Sequence, residues 1–423
     1  MIRRWKQESF AALGNRDFRI LWGGSVFLML AFMMAFTVQS VVAFELEGSN
    51  GAVGVVNTGL GISLLLLGPY GGVIADRVSK RRLLVVGQGA VGLVMLAVGV
   101  LIVTDSVTIV WLTLGTLVMG VAFSFAGPAR QAYVGTLVSG RLLPNAVALT
   151  QLGMNIGRVI APLLAGVMLG TSLFGAGGTY VFMAAIVGLA LFSLGLLPPS
   201  AGTPPARRRS VRSELKAGVD HVRDNPRLRL LMLMFMAIVV LGFTFQIILP
   251  ALLERHLDRD ATDIGLILTV NAAAGLVVSL ALAGMVSSRW ALPIMLSMGA
   301  LMGLGFFLLA AAPSFELALL TVLALGAGLS GFMLVSMALV MANTAPAYYG
   351  RVQSLMMLAF ALQGVLGIGW GILADEIGER QMLVVVGVLT MAAVAFGSAA
   401  FAALSRGRPA AAPVPASPPS GDA

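Results

Sequence analysis

The chain has 423 residues, of which 58% are apolar and only 11% are charged, and its mean hydropathy is +0.96. Soluble domains carry about 25% charged residues, so this composition excludes an ordinary water-soluble protein. The chain contains no cysteine, which excludes disulfide bonds, thiolate metal sites and thiol redox chemistry.

Twelve apolar stretches follow one another, and each is close to the roughly 20 residues that a helix needs to cross a bilayer. They are predicted at residues 20–44, 52–74, 83–103, 107–127, 148–170, 179–197, 228–252, 264–286, 291–312, 316–341, 352–374 and 381–404. The sequence therefore predicts an all-α integral membrane protein with twelve transmembrane helices. We number these predicted spans 1 to 12.

The basic residues are distributed unevenly between the two sides of this topology. With the N-terminus in the cytoplasm, 23 of the 27 lysines and arginines fall on the cytoplasmic side. The positive-inside rule describes this asymmetry, and the opposite orientation violates it. We predict a multi-pass protein of the cell membrane with both termini in the cytoplasm. The net charge of +9 then reflects topology and not a nucleic-acid partner.

A polar connection in the middle of the chain separates two groups of six spans. It begins with a Pro-rich segment, and from Val211 to Pro226 apolar residues recur at helical spacing. We expect an amphipathic helix on the cytoplasmic membrane surface. The predicted domains are a six-helix bundle over 1–197, this linker over 198–227, a second six-helix bundle over 228–404 and a disordered cytoplasmic tail over 405–423.

The two groups of spans resemble each other in sequence. Phe36-Thr-Val-Gln39 in span 1 recurs as Phe243-Thr-Phe-Gln246 in span 7, and Gly140-Arg141 before span 5 recurs as Gly350-Arg351 before span 11. Six spans followed by a related six in the same orientation form a parallel repeat, in which substrate binds near the midplane between the halves. The expected fold is two pseudo-symmetric six-helix bundles.

A short charged connection joins spans 2 and 3, with the sequence Gly72-Val-Ile-Ala-Asp76-Arg77-Val-Ser-Lys80-Arg81-Arg82. It resembles the signature loop of the major facilitator superfamily. The resemblance implies that the aspartate contacts a basic residue of span 4 and the start of span 11, which holds the cytoplasmic side shut. The implied conformational gate consists of Gly72, Asp76, Arg77, Lys80, Arg81 and Arg130. The alternative is a simple positive-inside anchor, which leaves Asp76 unexplained.

Span 5 carries a small residue at every fourth position, including Gly153, Gly157 and Ala161, a spacing typical of close helix packing. Together with Pro162 and Gly166, this run resembles the antiporter motif of exporters in the same superfamily, although two of the usual glycines are alanines. The resemblance implies export. Ordinary packing of small residues is the alternative.

A second face of span 5 carries Gln151, Asn155 and Arg158 at helical spacing. An arginine near the centre of a membrane helix costs about 2.5–3.5 kcal/mol on insertion scales, so it indicates a function. Our hypothesis is that this face lines the substrate cavity and that Arg158 attracts an anionic or electron-rich part of the substrate. Alternatively, backbone carbonyls and the two amides satisfy the arginine, which then fixes helix packing.

Phe36 with Gln39, and Phe243 with Gln246, present an aromatic ring and an amide from equivalent spans. In the resembling family these two spans line the central cavity, and such a pair suits an amphipathic organic ligand. Hydrogen bonding between helices, worth about 0.6 kcal/mol, is the alternative.

The resemblance covers residues 15–404, and Asn15-Arg-Asp-Phe-Arg19 is similar to the branch that contains enterobactin exporters and macrolide efflux proteins. It implies a secondary active transporter that exports amphipathic small molecules, of drug, macrolide or siderophore type, by alternating access with proton antiport. An importer or uniporter of a small metabolite is the alternative within transport. A membrane-embedded transferase is a remote alternative, because the predicted spans offer no histidine and no paired acids.

The expected partners are a small-molecule substrate, a proton or another coupling ion, and the lipid bilayer around a monomer. We expect no enzyme activity, no cofactor and no metal site. The acids at the outer ends of the spans that are available to carry a proton are Glu45, Glu254, Asp263 and Asp375.

Overall fold

The computed structural model describes residues 10–138, 140–198, 211–286 and 288–406. Of residues 72, 73, 75–77, 141, 211, 212, 261, 405 and 406 it describes the backbone alone. The Pro-rich start of the linker and nearly all of the predicted tail therefore lie outside the described residues. The described part of the chain is helical, with no β-strand in it.

Fourteen α-helices follow one another in the described ranges. The first half contains α1 (Arg16–Glu47), α2 (Asn50–Arg77), α3 (Lys80–Val103), α4 (Ile109–Leu137), α5 (Leu143–Leu169) and α6 (Gly175–Gly195). The linker helix is α7 (Val211–Asp224). The second half contains α8 (Pro226–Gly242), α9 (Phe245–His256), α10 (Ile264–Leu282), α11 (Ala291–Ala311), α12 (Phe315–Ala342), α13 (Tyr349–Ile377) and α14 (Glu379–Arg406).

These helices form twelve spans that are long and apolar enough to cross a membrane. Helices α8 and α9 together make one span, and the linker helix α7 is not a span. The prediction of a twelve-span, all-α membrane protein is confirmed. Apart from the linker between the sixth and seventh spans, successive spans are joined by short connections, so their ends alternate between two faces. We call the face that carries α7 and the α2–α3, α4–α5, α10–α11 and α12–α13 connections the linker face. The opposite face, with the α1–α2, α5–α6, α9–α10 and α13–α14 connections, is the far face.

The turns are built from local capping chemistry. Gly48 ends α1 in the left-handed region at φ 61°, which a glycine adopts without steric cost. The Ser49 side chain then accepts a hydrogen bond from the backbone N–H of Ala52 and caps α2. The Ser79 side chain caps α3 in the same way, by accepting a hydrogen bond from the backbone N–H of Arg82. A chain reversal thus needs only two residues between neighbouring spans.

Helix α4 continues ten residues beyond the predicted end of span 4 at residue 127. The Gly127-Pro128 pair favours termination in a sequence pattern, because the residue before a proline avoids the helical region. In the structure Ala129, Tyr133 and Val134 are buried in the first-half core, and the Tyr133 hydroxyl donates to the Pro198 carbonyl at 2.6 Å. Tertiary packing therefore extends the helix past its proline.

Span 7, predicted as one continuous helix, is interrupted at Phe243 and Thr244. Pro250 lacks the N–H that would bond to the carbonyl of Gln246, which weakens the start of α9. The Thr244 hydroxyl donates to the Val240 carbonyl at 3.0 Å, a bond that bends helices. The interruption leaves Gln246 one residue after the start of α9, near the middle of the span.

The two halves meet through glycines close to the far face. A Cβ atom on Gly54 of α2 would lie 2.8 Å from the Cα of Ile368 in α13, and one on Gly61 would lie 2.8 Å from the Cα of Gly364. Such spacing brings helix backbones into direct contact, as at other small-residue membrane interfaces. Each of these contacts lies in the half of α2 that is nearer the far face.

The linker helix α7 packs along the start of α13, and its predicted place on the membrane surface stays a prediction. Glu214 forms an ion pair with Arg351, and the rings of His221 and Tyr348 stack with their centroids 4.2 Å apart. A Cβ atom on Gly218 would lie 3.0 Å from the Arg351 side chain, so the glycine permits close approach. The polar face of this amphipathic helix therefore has protein partners as well as solvent.

Candidate functional site

One stripe of α5 runs from the contact between the halves towards the linker face. Near the far face, Pro162 and Gly166 pack against Gly265 of α10. One turn towards the linker face, on the same stripe, Arg158 is exposed, and Gln151 is exposed two turns further on. The close contacts between the halves lie near the far face, whereas Arg158 and Gln151 are exposed nearer the linker face. We infer that a gap between the halves opens towards the linker face and that these side chains line it. We call this gap the cleft.

Arg158 has no fixed partner among the described residues of the cleft. Its side chain makes no hydrogen bond or ion pair with any residue that the structure describes, and Asn155 beside it is half-buried. A guanidinium is always charged and carries five N–H donors in a planar fork that matches carboxylate or phosphate oxygens. A guanidinium in this state can pair with an anionic ligand, and that role of Arg158 stays a prediction.

The small-residue seam of α5 holds this helix against α1. Gly153 faces the Val26 and Trp22 side chains, and Gly157 faces Met29. The Trp22 indole also donates to the Leu149 carbonyl at 2.7 Å. These contacts fix the rotation of α5 about its axis, so they determine which residues point into the cleft. Ala161 is fully buried on the same seam.

Gln39 lies inside the first half and does not face the cleft. It is 2% exposed, and its amide donates to the Asn57 side chain at 3.2 Å. Asn57 in turn donates to the Val53 carbonyl at 3.0 Å. This geometry is the interhelical hydrogen bond that the sequence left open as the alternative.

The equivalent residues of the second half are placed differently. Gln246 and Phe243 are both half-buried beside the interruption of span 7, and the Phe243 ring packs on Phe360 with centroids 5.9 Å apart. In the first half Phe36 is half-buried and makes an edge contact with Phe32 at 5.1 Å. The Gln246 amide forms no hydrogen bond within the described residues, so it remains a candidate ligand-binding group.

The predicted gate is described only in part. The backbone of Gly72, Asp76 and Arg77 forms the end of α2, and their side chains lie outside the described residues. Lys80 is buried at the start of α3. Arg130 is half-buried on α4 and makes no hydrogen bond or ion pair with a described residue. The contact of Asp76 with span 4 and span 11 stays a prediction.

Arg81, also assigned to the gate, binds the end of another helix of its own half. Its guanidinium donates to the carbonyls of Leu194 and Gly195 at 2.9 and 2.8 Å, at the C-terminus of α6. The last carbonyls of a helix lack partners within the helix, and a cation at this end is stabilising. Arg81 therefore fixes α3 to α6.

A polar cluster closes the far face, and of its members only Asp375 was singled out from the sequence. The Asp375 carboxylate accepts hydrogen bonds from the backbone N–H groups of Asn50 and Gly51, both at 2.8 Å. The Asn50 side-chain amide donates to Asp375 and to Glu379, both at 2.9 Å. The cluster thus joins the N-terminus of α2 to the end of α13 and the start of α14.

Glu379 connects the end of span 7 to the same cluster. It is 3% exposed, and it accepts hydrogen bonds from Arg255 at 2.7 Å and pairs with His256 at 3.0 Å. Arg255 also donates to the carbonyl of Gly48 in the other half. A buried carboxylate needs such partners, since an unpaired charge in this environment is strongly unfavourable.

Residues 21–368 match the family model of the Major Facilitator Superfamily. The chain belongs to this superfamily. It is therefore a multi-pass membrane transporter and not an enzyme. The sequence-based identification of the family is confirmed.

Two curated relatives are about 30% identical to this chain over the stretches that align. The chain is 30% identical over 246 residues to the enterobactin exporter EntS of Shigella boydii, covering 56% of each chain. It is 28% identical over 240 residues to the staphyloferrin A transporter of Staphylococcus aureus, covering 54% of this chain and 57% of the relative. The chain thus spans a little more than half the length of these curated relatives.

Solved structures confirm the fold. A bacterial homologue of the human lysosomal transporter Spinster superposes with a TM-score of 0.74 at 14% identity, covering 94% of this chain and 99% of that chain. The nucleoside transporter NupG superposes with a TM-score of 0.72 at 14% identity, covering 90% and 99%. At this identity the similarity concerns the fold alone.

Proposed function

We propose that this transporter exports amphipathic, anionic small molecules of the siderophore type by alternating access coupled to proton antiport. The linker face is then cytoplasmic, as the placement of 23 of the 27 basic residues on that side favours. The observation that carries the proposal is Arg158, a permanent cation exposed in the cleft with no protein partner among the described residues.

The chemistry of iron chelators suits this arginine. Iron(III) is a hard cation that is bound best by hard oxygen donors, so a chelator without iron presents several anionic or electron-rich oxygens. A guanidinium binds such oxygens in pairs, with charge-assisted hydrogen bonds. Phe243 and Gln246, half-buried at the interruption of span 7, supply an aromatic surface and an amide for the uncharged part of an amphipathic ligand.

The relatives support the same substrate class. One is named for the export of enterobactin and the other for the transport of staphyloferrin A. The cleft opens towards the linker face, which gives a cytoplasmic substrate access to Arg158. Pro162 and Gly166 of the antiporter-like motif contact Gly265 across the halves, so this motif lies where the halves must part for release to the other side.

Transport by the purified protein in liposomes tests the proposal. Vesicles in which the linker face is outside are mixed with one of three compounds: an iron-free catecholate siderophore, an iron-free carboxylate siderophore or a cationic dye. Uptake is followed with and without an acidic interior. We expect uptake of at least one siderophore, a rate that rises with the pH gradient, and no uptake of the dye.

Each part of the proposal has its own contradicting outcome. Uptake of the dye alone would contradict the anionic substrate class. Siderophore uptake at a rate that does not depend on the pH gradient would contradict proton antiport but not the proposed substrate class. Net movement only in the opposite direction under every gradient would identify an importer.

A further inference from the structure

The end of α13 repeats the sequence of the charged gate loop at the end of α2. Gly72-Val-Ile-Ala-Asp76 recurs as Gly371-Ile-Leu-Ala-Asp375, and in each case an arginine follows five residues after the aspartate, at Arg81 and Arg380. Each segment ends one span, turns, and begins the next. This repeat relates span 2 to span 11, which occupy different places in the two halves.

The two arginines of this repeat perform the same structural role. Arg81 donates to the carbonyls at the end of α6. Arg380 donates to the carbonyl of Ala312, directly after the end of α11, at 3.0 Å. Each arginine therefore fixes the turn that follows the aspartate to a neighbouring helix of its own half.

Helices α2 and α13 run antiparallel along each other, so the end of each lies beside the start of the other. At the far face the carboxylate of Asp375, at the end of α13, accepts hydrogen bonds from the first two N–H groups of α2, those of Asn50 and Gly51. A carboxylate at this position is stabilised by the unpaired N–H groups and by the helix dipole.

The glycine of the repeat permits this contact. A Cβ atom on Gly371 would overlap the Asn50 carbonyl oxygen and would lie 3.0 Å from the Cα of Gly51. Any side chain at position 371 would therefore push α13 away from the start of α2. Asn50, which is fully buried, adds side-chain hydrogen bonds to Asp375 and Glu379.

We propose that Asp375 is a far-face latch, the counterpart of the linker-face latch predicted for Asp76, and that the two aspartates hold opposite faces shut in alternate states. In the state described here, Asp375 binds the start of α2 while the cleft is open to the linker face. When the cleft closes, the contacts of Asp375 break and the far face opens. This inference rests on the alternating access proposed above.

The absence of cysteine from the chain permits a clean accessibility test. Thr58 lies two turns into α2, and its hydroxyl is 3.4 Å from the Gly364 carbonyl in the seam between the halves. Cells that express Thr58→Cys are treated with a membrane-impermeant maleimide, which reaches the introduced thiol from outside only when the far face opens. A separate Leu173→Cys variant, at a far-face residue that is 83% exposed, measures surface expression and orientation.

The latch variants are compared in the Thr58→Cys background. Asp375→Asn keeps the shape of the side chain but places an amide among N–H donors and removes a charge-assisted contact, so we expect labelling of the introduced thiol to accelerate about tenfold. Glu376→Gln, an exposed neighbour, is the matched control and should leave the rate unchanged. Asp76→Asn should slow labelling, because it releases the opposite latch.

Equal labelling rates in Asp375→Asn and the parent would overturn the proposal. Asn50→Asp, which sets a like charge against Asp375 and Glu379, provides a second variant with the same expected acceleration. The assay needs no substrate. If the protein transports no siderophore but Asp375→Asn accelerates labelling, the proposed substrate is wrong and the latch is supported. If the protein transports a siderophore but Asp375→Asn leaves the labelling rate unchanged, the latch is wrong and the proposed substrate is supported.

Discussion

Gly166 of α5 and Gly265 of α10 face each other across the two halves with no room for a side chain between them. A Cβ atom on Gly166 would lie 3.0 Å from the Cα of Gly265, and one on Gly265 would overlap the Pro162 carbonyl oxygen. Direct contact between backbones at this point closes the far side of the cleft. The closed far face therefore depends on two residues that carry no side chain.

Substituting Gly265 should open the far face. Overpacking of a tight contact costs about 1–3 kcal/mol, so Gly265→Ala should shift the population away from the closed far face by about tenfold. Gly23→Ala is the control, since a Cβ atom there meets no atom within 4 Å. Maleimide labelling of a cysteine introduced in place of Thr58 measures the shift. Equal rates in the two variants would contradict the role assigned to this contact.

Arg158 should determine substrate binding through its charge. Arg158→Gln should raise the KM for an anionic substrate about tenfold, because a charge contact in a partly hydrated cleft contributes on the order of 1–2 kcal/mol. Arg158→Lys keeps the charge and loses the planar fork, so an intermediate KM is expected. Kinetics in proteoliposomes, at equal amounts of folded protein, measure both. Unchanged kinetics of the glutamine variant for every substrate would remove this role.

The two glutamines of the repeat should separate into a structural and a binding residue. Gln39→Leu leaves Asn57 without its donor and should lower thermal stability in detergent, by about 0.6–1.7 kcal/mol, with little change in KM. Gln246→Leu breaks no hydrogen bond among the described residues, so it should raise KM and leave stability unchanged. The opposite assignment of the two effects would contradict the cleft as described.

The linker helix should be held by its ion pair with α13. Glu214 and Arg351 are partly buried, so their pair should contribute somewhat more than the roughly 0–1 kcal/mol of an exposed pair. Glu214→Arg or Arg351→Glu alone should loosen α7 and speed tryptic cleavage of the linker. The double reversal should restore much of the protection. If the increase in cleavage rate of the double variant equals the sum of the increases in the two single variants, the pair has no such role.

The sequence predicts most of this fold because its signals are local. Twenty-residue apolar stretches, the asymmetry of lysine and arginine, and the Phe36-to-Gln39 repeat each report on one span or one pair of spans. The end of α4 and the interruption of span 7 were not predicted, because they depend on what packs against Tyr133 and on the environment of Thr244.

The residues of the candidate site are harder to predict from the sequence than the fold. Gln39 and Gln246 occupy equivalent positions in the sequence, yet one is bound to Asn57 and the other has no hydrogen bond among the described residues. Only the relative placement of neighbouring helices decides between these outcomes. The far-face cluster was missed because Asn50, Arg255 and Glu379 are far apart in the chain, although the repeat of Gly72 to Asp76 at Gly371 to Asp375 was a usable signal.

Two spin-label distances, measured in one sample series, test most directly whether the halves rock against each other. One pair of cysteines, introduced at Leu143 and Met285, spans the mouth of the cleft, and the other, at Leu173 and Asp260, spans the far face; all four residues are exposed. When substrate and a pH gradient drive turnover, we predict that the first distance shortens while the second lengthens. Distances that stay fixed, or that change in the same direction, would contradict alternating access by these two bundles.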